Sequence, residues 1–328
     1  MKIIACCIMA ALQQCCCGQG GSGGFGGFTG AAAVGPQVMT AGTVFDPSGA
    51  PDPNVDLTVW RIGSYIARAK PDPDGKYSIW WQRWLAPVGE RNAAQIRSTL
   101  IVRDQARNFV ATRDVDETNT HLDLHMVEGL SLSGSVQDSG GKPMTGFNVR
   151  LMMPVNNWPS MLDQMLTDAQ GSFNFKGLPQ EGDYSVYVNI RTGSVDSGGY
   201  GSGRATLAAK DARTNHYTFP AFVLKKADRK VAGYVLDSDK KPLAGALLSL
   251  SGEGQPRLPG VKTDQWGHFA LDGACEGPLE VFAFTIPPGG GVPRTVGTLN
   301  AVSGQAIRGG DTNLVLTSGG KPPEANAR

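Results

Sequence analysis

Apolar and polar residues alternate with a period of two along many short stretches of this chain. Leu122, Leu124 and Met126 alternate with Asp123 and His125, Phe173 and Phe175 flank Asn174, and Val186, Val188 and Ile190 alternate with Tyr187 and Asn189. Val281–Phe284 reads the same way. Such runs place one row of side chains on each face of a β-strand. A helical period is confined to one short turn at Asn157–Met165. Many short strands punctuated by turn signals predict an all-β sandwich architecture.

The pattern occurs three times. A first signature reads Val44-Phe45-Asp46 then Pro51, Val136-Gln137-Asp138 then Pro143, and Val235-Leu236-Asp237 then Pro242. A second follows in each copy as Asp72…Gly75…Tyr77, Asp168…Gly171…Phe173 and Asp264…Gly267…Phe269, its glycines recurring every 96 residues. In both, the Asp opens a turn by accepting a backbone hydrogen bond from two residues on. In the second, the Gly takes the left-handed position, and an aromatic re-enters the core two residues later. Asp72-x-Asp74 is therefore a turn, lacking the further ligands of a calcium loop. Each copy closes with a strand, at Leu122–Val127, Phe222–Leu224 and Leu314–Leu316. Short joints between copies predict a semi-rigid rod.

The two signatures together, Val-x-Asp-x-x-x-x-Pro-hydrophobic-x-Gly and Thr-Asp-x-x-Gly-x-Phe, resemble the carboxypeptidase regulatory-like domain. The third copy matches best. The first departs, lacking the Gly after Pro51 and carrying an insertion near Leu85–Ile96. The resemblance implies three tandem Ig-like or transthyretin-like seven-stranded β-sandwich domains, and no activity, because function resides in sites rather than folds. The related collagen-adhesin modules carry an internal Lys–Asn cross-link; here Val44, Val136 and Val235 stand at the lysine position, which excludes it.

Composition adds context. There are 44 glycines and 21 prolines among 328 residues, an excess suited to short elements. The net charge of +1 offers no field for nucleic acid or an acidic membrane. Lys2 followed by an apolar run to Leu12 has the format of a signal peptide and is too short for a membrane span. The expected organisation is a signal peptide at 1–17, a Gly-rich, disordered linker at 18–37, and sandwiches at 38–128, 129–226 and 227–317. A disordered tail at 318–328 completes it. An exported chain is implied, touching a membrane only through a lipid anchor, should one exist. Five cysteines crowd positions 6–17, so Cys275 is left without an internal partner.

Candidate chemistry is sparse. His125-Met126-Val127-Glu128 spells half of a zinc motif with no placed partner. His121, Asp123 and His125 share the outer face of one strand and are a candidate metal trio. Gly20–Gly24 contains a Gly-x-Ser-x-Gly inside the linker, where it is compositional. Gly198–Gly203 reads as a mobile hairpin tip. Trp80, Trp81, Trp84 and Trp266 are candidate ligand-binding aromatics. Trp80 and Trp81 must face opposite ways on a strand. These readings predict a non-catalytic exported structural or interaction protein with no cofactor and a protein or polysaccharide partner. Alternatives are an array of carbohydrate-binding modules, and accessory domains of a metal-dependent hydrolase or such a hydrolase itself.

Overall fold

The computed structural model describes residues 33–61, 64–85, 98–155, 158–189, 198–208, 211, 214–256, 258, 260–285 and 294–318. The segment read as a signal peptide and most of those read as linker, first-copy insertion and C-terminal tail lie outside these residues. The described residues hold 23 strands and no α-helix.

The first repeat contains β1 (Ala33–Phe45), β2 (Asp56–Arg61), β3 (Ser64–Ala69), β4 (Lys76–Leu85), β5 (Ser98–Asp104), β6 (Phe109–Val115), β7 (Leu124–His125) and β8 (Val127–Glu128). It forms a three-stranded sheet, β4-β1-β7, and a five-stranded sheet, β3-β2-β5-β6-β8. The second contains β9 (Leu130–Asp138), β10 (Asn148–Val155), β11 (Trp158–Leu166), β12 (Ser172–Leu178), β13 (Tyr184–Val188), β14 (Gly203–Leu207), β15 (His216–Thr218) and β16 (Phe222–Leu224). Its sheets are β11-β10-β13-β14 and β12-β9-β15, with β16 also on β9. The third contains β17 (Arg229–Leu236), β18 (Leu247–Ser251), β19 (Val261–Lys262), β20 (His268–Ala274), β21 (Glu280–Thr285), β22 (Arg294–Ala301) and β23 (Leu314–Ser318). It forms one continuous seven-stranded sheet in the order β19-β18-β21-β22-β23-β17-β20.

Pairing is equivalent throughout. The opening strand pairs antiparallel with the fourth and parallel with the last, and the second pairs with the third and fifth. The last strand of each of the first two repeats is split in two, giving β7/β8 and β15/β16. Counted this way, every repeat has seven strands. β1 reaches back to Ala33, into the segment read as linker, because β4 supplies a pairing partner as far as Leu85. The helical turn expected at Asn157–Met165 is instead β11. Its inward positions are Ser160 and Leu162 while Met161 and Leu166 face solvent, which scrambles the apolar alternation in the sequence.

The two recurring signatures are locked together by backbone. Asp46, Asp138 and Asp237 each accept, through Oδ1, the N–H groups two and four residues on. Asp72, Asp168 and Asp264 do the same. Between the paired turns lies a buried valine. Val44, Val136 and Val235 donate N–H to the carbonyls of Gly75, Gly171 and Gly267 at 2.8–2.9 Å. Their own carbonyls accept from Asp52, Met144 and Leu243, the residues after each signature proline. In the second and third repeats a Thr hydroxyl adds a further tie, Thr167 to the Met144 carbonyl and Thr263 to that of Leu243, both at 2.6 Å. Pro71 stands in the corresponding place in the first repeat, which lacks this bond.

The glycine at this lock is fixed twice over. Gly171 has φ +71°, and a Cβ on it would lie 2.5 Å from the Val136 carbonyl oxygen. Lys240 occupies the analogous left-handed position of the third repeat's first turn at φ 62°, where a side chain is disfavoured. Gly171→Ala is expected to lower the unfolding free energy by at least about 2 kcal/mol, from left-handed strain plus the displaced carbonyl. Lys240→Gly should raise it by up to about 1 kcal/mol. Urea titration of both variants reads these effects.

The turns also set an acid limit. The Ser48 hydroxyl and the turn N–H groups hold the Asp46 carboxyl below its ordinary value of 3.8. For Asp264, burial pushes the carboxyl up, but the His268 and Trp266 N–H groups outweigh it and leave it lowered. Groups depressed on folding stabilise the fold above the unfolded value and lose that contribution as pH falls through the folded one. Stability is therefore expected to be level near neutrality and to drop below about pH 4, as read by the urea midpoint at stepped pH, with a smaller drop in Asp46→Asn.

Candidate functional site at the joint between repeats

Three apolar clusters occupy the structure. One is drawn from Val38–Met126, another from Val231–Leu316. The largest spans Leu130–Leu224 but also takes in Trp60, Ile101 and Val110 from the first repeat. These three sit on β2, β5 and β6, whose neighbouring residues Val59, Leu100 and Ala111 face the first repeat's own core. At these positions of β2, β5 and β6 the five-stranded sheet is thus buried on both faces. Its contiguous apolar runs, Val59-Trp60, Leu100-Ile101-Val102 and Val110-Ala111, are the sequence signal for this, since strands covered on both sides lose their alternation.

A cation clamps the same joint. Arg103 is 8% exposed and donates from Nε to the Gly177 carbonyl at 2.9 Å, and from Nη2 to the Lys176 carbonyl at 2.7 Å and Asp163 Oδ2 at 2.9 Å. Gln105 Nε2 donates to the same carboxylate oxygen. Asn108, at φ 62°, closes the turn before β6. Its Nδ2 donates to the Gly129 carbonyl, and its Oδ1 accepts from Gly177 N. Asp163 and the backbone carbonyls thus compensate a guanidinium taken out of water. Beside it, Arg107 joins Asp46, Asp52 and Asp104, and the Asp104 hydrogen bond raises its pKa further.

The second joint is made differently. Gln255 Nε2 donates to the Cys275 carbonyl, and Cys275 N donates back to Gln255 Oε1. The Ser202 hydroxyl donates to the Gln255 carbonyl at 2.7 Å, and Gly201 N to that of Lys225. A Cβ on Gly201 would meet the Gly254 oxygen at 2.1 Å and Cys275 Sγ at 2.8 Å. Gly198–Gly203 is therefore pinned in this joint and is not a mobile tip. The sequence hid this because its partners in the third repeat, Gly254, Gln255 and Cys275, lie more than fifty residues on. Burial pushes the Cys275 thiol up in pKa, as suits a packed and unreactive sulfur.

The sequence-derived candidates fall elsewhere. His121, Asp123 and His125 do face outward, over Leu124 and Met126 buried beneath. They do not converge. Asp123 Oδ1 accepts from Thr43 N, His121 stands 3.7 Å from it, and the His125 ring stacks on Phe45 at 4.8 Å. Among the described residues no group of three or more His, Cys, Asp or Glu side chains is placed to hold a metal ion. His125 and Glu128 are both exposed and lie on β7 and β8, strands of different sheets.

Of the aromatics, Trp81 corrects the sequence reading. It is 3% exposed, its indole N–H donates to Thr40 Oγ1 at 3.1 Å, and it belongs to the first core, because β4 presents alternate residues inward. Trp80 beside it is exposed and lies opposite Met39 of β1. Trp266 is exposed in the turn before β20, with His268 and Tyr234 forming a chain of ring contacts behind it. The side chain of Trp84 lies outside the described residues.

No family model matches the chain, and no curated protein matches it. Among solved structures, a streptococcal ancillary pilin overlaps 86% of this chain and 100% of its own at 12% identity and a TM-score of 0.27. The minor pilin GBS52 of Streptococcus agalactiae overlaps 61% and 100% at 14% identity and 0.29. The shaft pilin SpaA of Lactobacillus rhamnosus GG overlaps 58% and 97% at 9% identity and 0.26. Overlaps at this level bear on neither activity nor partner, and the reading below rests on the chain's own geometry.

Trp81→Ala is expected to destabilise the first repeat by about 3–5 kcal/mol, as for a buried aromatic cut to a methyl. Trp80→Ala should change stability by no more than about 0.5 kcal/mol. Urea titration of the two variants side by side tests this.

Proposed function

We propose that this chain is a non-catalytic exported protein of carboxypeptidase regulatory-like repeats, bounded at 38–128, 129–226 and 227–317, that serves as a structural and interaction module outside the cell. The observation carrying this reading is the first joint. Trp60, Ile101 and Val110 are spent on a neighbouring repeat, and Arg103 is buried to tie the two together. Flexibly tethered modules keep such residues polar; an array that holds or transmits a fixed geometry needs them apolar.

Calorimetry of the full chain tests it. The first two repeats are expected to unfold in one transition, and Arg103→Ala, which strands two carbonyls and Asp163, should split that transition at a cost of about 3 kcal/mol. Independent unfolding of the first two repeats in the unaltered chain contradicts the proposal, as does turnover of a peptide, ester or glycoside substrate.

A second reading is polysaccharide binding through exposed indoles. Trp80 and Trp266, 55% and 60% exposed, favour it. Retention on insoluble polysaccharide that is lost in the Trp80→Ala, Trp266→Ala double variant supports this reading.

A further inference from the structure

We propose that the cleft beside the joint of the first and second repeats binds a neutral saccharide unit, a site distinct from either exposed indole. The cleft has a volume of about 340 Å³ and takes its walls from β2, β3 and β5 on one side and β11 on the other. That places it at the small end of ligand sites, and at an interface between domains, where such sites concentrate.

Charge selects the ligand class. The charged side chains in the lining are Asp56, Arg68, Arg103 and Asp163, two of each sign. Each carboxylate already has a guanidinium near it. Arg103 Nη2 lies 2.9 Å from Asp163 Oδ2 and Arg68 Nη2 3.6 Å from Asp56 Oδ1. The lining therefore carries no net charge and draws in neither a phosphate nor an ammonium by Coulomb attraction. What it offers is a dense set of donors and acceptors, with the amides of Gln105 and Gln164 added. A neutral ligand that can both donate and accept fits this set.

An apolar plane completes the match. Tyr65 packs edge-on against the buried Trp60, ring centroids 5.7 Å apart, yet stays 56% exposed where it lines the cleft. A half-exposed aromatic with polar groups around it accepts a ring that has one C–H face and a rim of hydroxyls. Arg68 supplies a second pointer. It pairs with Asp56 Oδ1 at 3.6 Å, an oxygen shielded from solvent that Lys70 also approaches at 3.7 Å. The Arg68 side chain is largely exposed where it lines the cleft, and its guanidinium can donate to a ligand hydroxyl.

Saturation-transfer NMR on the full chain tests the inference, with maltotriose, cellotriose and chitotriose as neutral probes and trigalacturonate as the anionic one. At least one neutral probe is expected to show transfer, with none to the anion. Tyr65→Ala should weaken binding by about tenfold or more and leave the chain folded, with only the edge contact to Trp60 lost, as read by circular dichroism. Gln164→Ala, which removes an amide from the lining, should weaken it as well. The Trp80→Ala, Trp266→Ala double variant should bind as the parent does. Three outcomes overturn the proposal: silence from all three neutral probes, binding that survives both Tyr65→Ala and Gln164→Ala, or binding lost only in the double indole variant. The unfolding of the first two repeats is read separately by calorimetry, so failure here leaves the structural reading intact.

Discussion

Everything in this structure depends on a backbone contact between two turns that lie about thirty residues apart in each repeat. A buried valine on the opening strand donates to the glycine carbonyl of the second turn and accepts from the residue after the proline of the first. Because the contact is backbone to backbone, it needs a glycine with no Cβ on one side, and it tolerates many side chains elsewhere. The Asp at each turn satisfies two N–H groups that would otherwise be left in a tight loop. Once the two turns are joined, the opening and fourth strands are brought into register, and the two faces of the sandwich are set.

With that lock in place, each repeat needs only a generic apolar filling, and the repeats can diverge. The first has given up the Thr hydroxyl tie and the Gly after Pro51, and it retains the valine contact. The third closes its two halves into one continuous sheet, through pairing of β22 with β23, where the second keeps them as separate sheets. The conserved geometry lies in the turns; the variation lies in edges and joints.

The two joints show two solutions to one problem. The first is apolar with a buried cation at its rim, where a guanidinium is neutralised by one carboxylate and two carbonyls. The second is a small polar knot of Gln255, Cys275 and Ser202, made possible by the absence of a side chain on Gly201. The first buries large side chains across the boundary; the second fixes backbone positions by hydrogen bonds. The cleft proposed to bind a saccharide follows from the first, since a sheet covered only partly by the next repeat leaves its uncovered end open.

Sequence alone determined the local chemistry: the alternation, the six Asp turns and the 96-residue repeat of glycines, because period and turn geometry depend on a few adjacent residues. It also separated Trp80 from Trp81, as neighbours on a strand must face opposite ways. Tertiary structure decided which of the two is buried, and the alternation of β11, with Ser160 turned inward, could not be read in advance. It alone revealed that Trp60, Ile101 and Arg103 serve the next repeat, that Gly198–Gly203 is held in a joint, and that His121, Asp123 and His125 do not converge. Those facts depend on how one folded surface meets another. That meeting is set by shape and by partners far along the chain, which no local period records.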